Sequence, residues 1–167
     1  MPRCSLRSLL GAALAFAACG SFAQTLPDPA DWKETEAAPP PVFDAVRAIP
    51  FEGPVYSGLK FALDPATITI GADGVVRYVV VMTSNAGGAV NAMYEGIRCS
   101  TGEFKTYARF SGGNWNPVAR AEWTSVFDNM PSKHPLRLAK QGVCTNAAPA
   151  SSVAAIVQEL KNPRFSP

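Results

Sequence analysis

The sequence predicts one α+β domain: an antiparallel five- or six-stranded sheet, a C-terminal helix packed on one face of it, and one disulfide. Residues 67–110 consist of apolar and β-branched runs separated by short turns, which is typical of an antiparallel meander. Residues 153–160 place apolar side chains at helical spacing, which predicts a helix with one buried stripe. Cys99 and Cys144 remain as a pair once an N-terminal leader is removed. The predicted organisation is a signal peptide at 1–23, a proline-rich lead-in at 24–54 and the α+β domain at 55–167.

Residues 1–23 have the features of a signal peptide. Arg3 and Arg7 supply positive charge, and residues 9–18 form an apolar run of the expected length. Ser21 and Ala23 are small residues at the two positions that signal peptidase recognises, so cleavage is expected after Ala23. The sequence therefore predicts a periplasmic or secreted protein. The apolar run is too short to span a bilayer, and no later stretch qualifies as a transmembrane segment.

Cys19 leaves an alternative to simple cleavage. It follows the apolar run and two alanines, so it could receive a lipid anchor. A bacterial lipobox usually has leucine three residues before the cysteine, and Phe16 occupies that position here. A lipoprotein anchored through Cys19 stays open beside cleavage after Ala23.

The mature chain is predicted to be neutral. Loss of Arg3 and Arg7 reduces the 15 basic residues to 13, against 13 acidic residues. Nucleic acids and anionic membranes are bound through basic patches that displace counterions. The composition therefore argues against a nucleic-acid partner.

The two cysteines of the mature chain, Cys99 and Cys144, most simply form a disulfide in an oxidising compartment. The bridge would close a loop of about 45 residues, worth about 4 kcal/mol in the chain-entropy account. Reduced thiols, or a redox or metal role, are the alternatives. There is no Cys-x-x-Cys spacing, and two cysteines with one histidine are too few for a usual structural zinc site, so no metal or cofactor is predicted.

The lead-in at 24–54 is rich in proline. It should be extended or looped, because proline lacks a backbone donor and breaks helices. It also carries apolar side chains, which favour a strap packed on the domain over a flexible arm. These side chains are Trp32, Val42, Phe43, Ile49 and Phe51.

The first core strand is predicted within residues 55–63. Asp73-Gly74 predicts a tight hairpin turn, because both residues tolerate positive φ. The strand that follows, 75–83, is apolar on both faces and should be central in the sheet. We expect the C-terminal helix to cover its face with Val76, Tyr78, Val80 and Met82.

Two further strands are expected at 90–99 and 103–110. The second alternates cleanly, which predicts that one of its faces is exposed throughout. Apolar residues at helical spacing predict a short helix over 119–130, and residues 136–138 could form an edge strand. Ser151 or Ser152 should cap the C-terminal helix.

Four short motifs carry a family resemblance. They are Asp-Trp-Lys-Glu at 31–34, Pro-Val-Phe at 41–43, Gly-Ala-Asp-Gly-Val-Val-Arg-Tyr at 71–78 and Tyr-Glu-Gly-Ile-Arg-Cys at 94–99. Together with Trp115 and Trp123, they resemble the cryptic neisserial protein-like family, a group of small exported bacterial domains. The resemblance covers most of the mature chain, and it implies export to the cell envelope and a shared fold. It implies no activity and assigns no catalytic residue.

The ligand-binding candidates lie on the central strands and are Tyr94, Glu95, Arg98, Arg77 and Arg109. Glu95 shares its face with apolar residues, so burying its carboxylate without a partner would be costly. Arg77 and Arg109 on adjacent strands are its expected partners. A structural ion pair is the leading interpretation, and a ligand-binding pair or a catalytic acid are the alternatives.

His134 is the only histidine and lies between Lys133 and Pro135. It is expected to be a solvated loop residue, because no recognisable nucleophile motif accompanies it. The leading functional expectation is a non-catalytic envelope module that binds an envelope protein or a cell-wall component. A small periplasmic hydrolase with a carboxylate-based site, or a lipid-anchored accessory subunit, are the alternatives.

Overall fold

The computed structural model describes residues 31–53, 58–88, 90–130 and 132–163. The predicted signal peptide, its cleavage site and Cys19 lie outside the described residues, as does the start of the predicted first core strand at 55–57. The chain divides into two compact units, Met1–Trp32 and Lys33–Pro167. The sheet and both helices below belong to the second unit.

The described residues form an antiparallel eight-stranded sheet, which confirms the predicted α+β class. The order of the long path is β1-β2-β4-β5-β6-β7, with β3 paired to β4 and β8 paired to β6. β3 and β8 have two residues each, so the remaining strands match the expected number. The strands are β1 (Ile49–Phe51), β2 (Leu59–Leu63), β3 (Thr69–Ile70), β4 (Val75–Ser84), β5 (Asn91–Arg98), β6 (Glu103–Ser111), β7 (Asn114–Pro117) and β8 (Thr124–Ser125).

β4 is the central strand, as its apolar faces predicted. Residues 75–81 are all buried. The turn before β4 contains Gly74 at φ 75°, and the amide of Gly74 donates to the carbonyl of Gly71 at 3.0 Å. Asp73-Gly74 therefore makes the predicted tight turn, which joins β3 to β4.

The C-terminal helix covers one face of β4, as predicted. This helix, α2 (Val153–Lys161), begins at Ser152, whose hydroxyl accepts from the amide of Ala155 at 3.1 Å. Ile156 and Leu160 of α2 pack in one core cluster with residues of β4. That cluster includes Val76, Tyr78 and Val80, with Met82 at its margin.

The opposite face of the sheet is covered by the lead-in. Phe43 packs edge-on to Phe110 and Trp115, with ring centroids 5.0 and 5.7 Å away. Val42, by contrast, is 93 % exposed and anchors nothing. The lead-in also contributes β1, which pairs with β2 where no strand was predicted.

β6 departs from the predicted alternation. The pairing of β5 with β6 shifts after Tyr94, which pairs with Ala108 while Glu95 pairs with Thr106. Tyr107 is therefore the extra residue of a β-bulge, and the faces of β6 exchange at that point. Phe104 and Thr106 face the helix side, whereas Ala108 and Phe110 face the lead-in side.

Two element predictions are wrong. Residues 119–130, all of them described, contain no helix: they form β8 and turns, and Val126 is buried whereas Phe127 is 67 % exposed, so the two do not share a buried face. The expected edge strand at 136–138 is part of a short helix, α1 (His134–Leu138). Pro135 occupies the first turn of α1, where its missing N–H costs no hydrogen bond.

α1 continues into a π-helical turn (Ala139–Val143) and then a two-stranded ribbon of β9 (Cys144–Thr145) and β10 (Ala148–Pro149). Cys99, the residue after β5, is bonded to Cys144, with their Cα atoms 5.6 Å apart. The predicted disulfide is confirmed.

Candidate functional site

A cleft of about 510 Å³ lies beside the disulfide. Its floor is the end of β5, and its sides are the loop after β8, the end of β1, and α1 with the π-helical turn. Clefts of this size suit small ligands. The lining residues are Glu52, Ile97, Cys99, Gly102, Val126, Phe127, Leu136, Arg137, Ala139, Lys140, Gln141, Cys144 and Asn146.

Apolar side chains form the interior of the cleft. Ile97 and Val126 are almost fully buried, whereas Phe127 is 67 % exposed. The amide of Val126 donates to the carbonyl of Gly102 at 2.9 Å, which fixes the loop against the turn between β5 and β6. Gly102 has φ 66°, and a Cβ on it would lie 3.0 Å from the Phe127 ring. A glycine there lets the ring lie against the turn.

Charged groups are part of the lining too. Arg137 Nη1 lies 3.8 Å from a carboxylate oxygen of Glu52, and both side chains are almost half exposed. Gln141 Oε1 accepts from the amide of Glu52 at 3.2 Å. Lys140 is exposed and belongs to the same lining. The cleft therefore combines an apolar interior with two cations and one carboxylate.

We call residues 134–144 the wall segment, because they supply one side of the cleft. Both ends of the wall segment are attached to β5. At its start, His134 Nε2 lies 2.9 Å from Glu95 Oε2. At its end, Cys144 is covalently bonded to Cys99. Glu95 and Ile97 share one face of β5, and Cys99 follows the last residue of that strand, so the floor and both attachments lie along one short stretch of chain.

Glu95 is paired, but its partner differs from the predicted one. Its side chain is completely buried, and it contacts His134 instead of Arg77 or Arg109. Thr106 Oγ1 also donates to it at 3.2 Å. Burial raises the pKa of the neighbouring Tyr78 hydroxyl well above its usual value, and the Glu95 charge raises it further.

The expectation of a solvated His134 is wrong. The residue is only 4 % exposed, and its ring stacks on Phe61 with centroids 5.3 Å apart. The helix α1 turns the imidazole inward, where Ser132 Oγ lies 2.8 Å from Nδ1. Flanking Lys133 and Pro135 gave no signal of this, because the partner Glu95 is distant in sequence.

Ser132, His134 and Glu95 therefore form a serine–histidine–carboxylate chain. Such a chain is a known catalytic arrangement when the serine is accessible to a substrate. Here the serine contacts Nδ1 and the carboxylate contacts Nε2. None of the three residues lines the cleft. Glu95 and His134 are buried, and their contact attaches the start of α1 to β5.

Arg77 has a different role from the one predicted. It is buried and binds Asp73 Oδ2 at 2.7 Å and the carbonyl oxygen of Thr35 at 2.9 Å. Burial alone would raise the pKa of the Asp73 carboxyl, but hydrogen bonds from Arg77 and from backbone amides outweigh it and lower that pKa. Arg77 thus holds the lead-in to the hairpin before β4.

The remaining candidates are dispersed. Tyr94 is buried on the lead-in side, packs on Tyr107, and shares a smaller cavity of about 270 Å³ with Arg77. Arg98 is within 3.6 Å of Glu103, and Arg109 is exposed on β6. The structure therefore brings Tyr94 and Arg77 together, and it separates them from Glu95, Arg98 and Arg109.

Sequence reasoning missed the anchor of the lead-in at Glu34. Its carboxylate accepts hydrogen bonds from Tyr107 at 2.7 Å, from Lys105 at 2.8 Å and from the indole of Trp123 at 3.1 Å. Burial raises the pKa of Glu34, but these donors outweigh it, so the pKa is lowered. The cleft was also missed, because its lining comes from four separate stretches of chain, at 52, 97–102, 126–127 and 136–146.

Two features are absent from the described residues. No group of three or more His, Cys, Asp or Glu side chains is placed to hold a metal ion. None of the helices in this part of the chain has the length and apolar character needed to cross a membrane.

Comparison with known proteins gives a family. No curated protein and no solved structure matches the chain. The model of the CNP1-like family matches residues 27–161, which include the whole described sheet and α2. The chain therefore belongs to the CNP1-like family.

Proposed function

We propose that this protein is an exported, non-catalytic binding module of the cell envelope and that its ligand occupies the cleft beside the disulfide. The observation that carries the proposal is the cleft of about 510 Å³ with an apolar interior. An apolar cavity open to water favours a ligand that removes its surface from solvent. Export is supported by the leader sequence, and an oxidising compartment is where such a disulfide persists.

Binding is favoured over catalysis by the kinds of side chain in the lining. The described residues of the lining include no serine, threonine or histidine, and both cysteines among them are in the disulfide. A carboxylate-based hydrolase would need Glu95 or a similar group to reach a substrate. Glu95 is completely buried and is bonded to His134.

The binding proposal is tested with the neutral apolar fluorophore N-phenyl-1-naphthylamine and the oxidised mature protein. Saturable fluorescence enhancement is expected. Leu136→Trp places a larger side chain in the cleft, and Phe127→Ala removes an exposed ring from it, so both should weaken binding several-fold. Val46→Ala is the control, because Val46 is 95 % exposed and is not part of the lining. Equal binding by all four proteins would refute the cleft as the site.

The form of export is tested by mass spectrometry of protein recovered from the envelope. A mature chain that begins at Gln24 supports simple cleavage after Ala23. A diacylglyceryl-modified Cys19 at the N-terminus would instead establish the lipid-anchored form. Full-length chain in the cytosol would refute export.

A further inference from the structure

The charges around the cleft indicate which kind of ligand it takes. Lys140 has no ion-pair or hydrogen-bond partner among residues 31–53, 58–88, 90–130 and 132–163. An unpaired cation beside an apolar cavity attracts a ligand's negative charge and repels a positive one. Lys140 is therefore the first group to consider in ligand selection.

Arg137 reinforces Lys140 from the same wall segment. Its only ion pair among the described residues is with Glu52, at 3.8 Å between two side chains that are almost half exposed. Ion pairs of this length and exposure are weak, so a ligand anion can replace Glu52 as the partner of the guanidinium with little loss of free energy. Glu52 is then a competitor for the ligand's charged group.

Gln141 adds neutral donors at the same place. Its Oε1 is occupied by the amide of Glu52, which leaves its amide N–H groups for another acceptor. Arg137, Lys140 and Gln141 lie within five residues of one segment, and all three line the cleft. An oxygen anion is the acceptor that such a set of donors fits.

We infer that the ligand is a small amphiphile with an apolar body and one oxygen-anion group, such as a carboxylate. The apolar body packs against Phe127, Leu136 and Ala139, which line the cleft and are accessible, and the anion lies at Arg137 and Lys140. This inference rests on the proposed function, because it assumes that the cleft is the binding site.

Three probes of equal chain length test it: decanoate, decanol and decylamine, which at pH 7.5 are anionic, neutral and cationic. Each displaces N-phenyl-1-naphthylamine from the oxidised mature protein in a titration. Decanoate should bind about twofold to fivefold more tightly than decanol, the upper part of the range expected for exposed charge pairs. Decylamine should bind most weakly.

Substitutions of single charges sharpen the test. Lys140→Gln should lower decanoate affinity about threefold and leave decanol unchanged. Glu52→Gln should raise decanoate affinity to a similar degree, because it removes a competing carboxylate. Lys60→Gln is the matched control, since Lys60 is exposed on β2 and lies outside the lining.

The outcomes separate this inference from the proposed function. If no probe displaces the fluorophore and the fluorophore itself does not bind, the cleft is not a binding site. If the three probes bind equally, or if Glu52→Gln leaves decanoate affinity unchanged, the cleft binds apolar molecules and does not distinguish them by charge. In that case the inference fails and the proposed function stands.

Discussion

The contact between Glu95 and His134 should be a principal source of stability, and His134→Leu tests this. The substitution removes the partner of a completely buried carboxylate and leaves it with Thr106 at 3.2 Å. Removing one partner from a buried pair costs about 3 to 5 kcal/mol, because the remaining polar group is buried without compensation. We therefore expect the free energy of unfolding, measured by urea denaturation at pH 7, to fall by about 3 to 5 kcal/mol.

A double-variant cycle separates this cost from lost packing. Glu95→Met alone should also destabilise, whereas Glu95→Met with His134→Leu should recover part of the loss, because neither polar group remains. Glu103→Met is the matched control. Its ion pair with Arg98 is longer, at 3.6 Å, and more exposed, so its loss should cost less than about 1 kcal/mol. A loss below about 1 kcal/mol for His134→Leu would show that the reasoning is wrong.

Three other predictions concern the disulfide, the lead-in and pH. Reduction of Cys99–Cys144 should lower stability by about 4 kcal/mol and weaken fluorophore binding, since one end of the wall segment is released; unchanged binding in dithiothreitol would contradict this. Glu34→Ala removes the acceptor of three donors, so faster amide exchange is expected in residues 33–48 and not in β4; equal exchange in the two regions would argue against this anchor. The lowered pKa of Asp73 means that its contribution is full above the ordinary carboxyl pKa of about 4 and is lost as the pH falls through the lower folded value. Asp73→Asn should therefore flatten the acid limb of a stability–pH curve, and an unchanged limb would refute the assignment.

The sheet could be predicted because its information is local. The apolar runs of β4, the Asp73-Gly74 turn and the spacing in α2 each report on a few consecutive residues. The bulge at Tyr107 could not be predicted, because strict alternation in sequence does not reveal a shift in pairing with the next strand. The pattern of residues 136–138 fits a strand as well as a helix. The position of Pro135 in the first turn of α1 decides for the helix, and the structure alone shows that position.

The site could not be predicted for a related reason. Glu95 was correctly expected to need a partner, but the choice of partner depended on where α1 places His134, 39 residues later. Strand register is the only long-range information in a single sequence, so arginines on adjacent strands are the partners that it predicts. Arg77 was instead satisfied by Asp73, four residues away, and by Thr35 of the lead-in.

Glu95 and Ile97 on one face of β5, with Cys99 directly after the strand, explain why one short motif contributes to several parts of the structure. Residues at every second position share a face, so the attachment of α1 and the floor of the cleft follow from a single strand, and the attachment of β9 follows from the residue after it. On the other face, a Cβ at Gly96 would lie 2.8 Å from the Tyr107 hydroxyl, so only glycine permits this close packing. A slip of one residue would turn Glu95 and Ile97 to the wrong face. The cations at 137 and 140 lie outside this strand, so a relative that keeps Glu-Gly-Ile-Arg-Cys but changes those two residues is expected to keep the cleft and to lose its preference for anions.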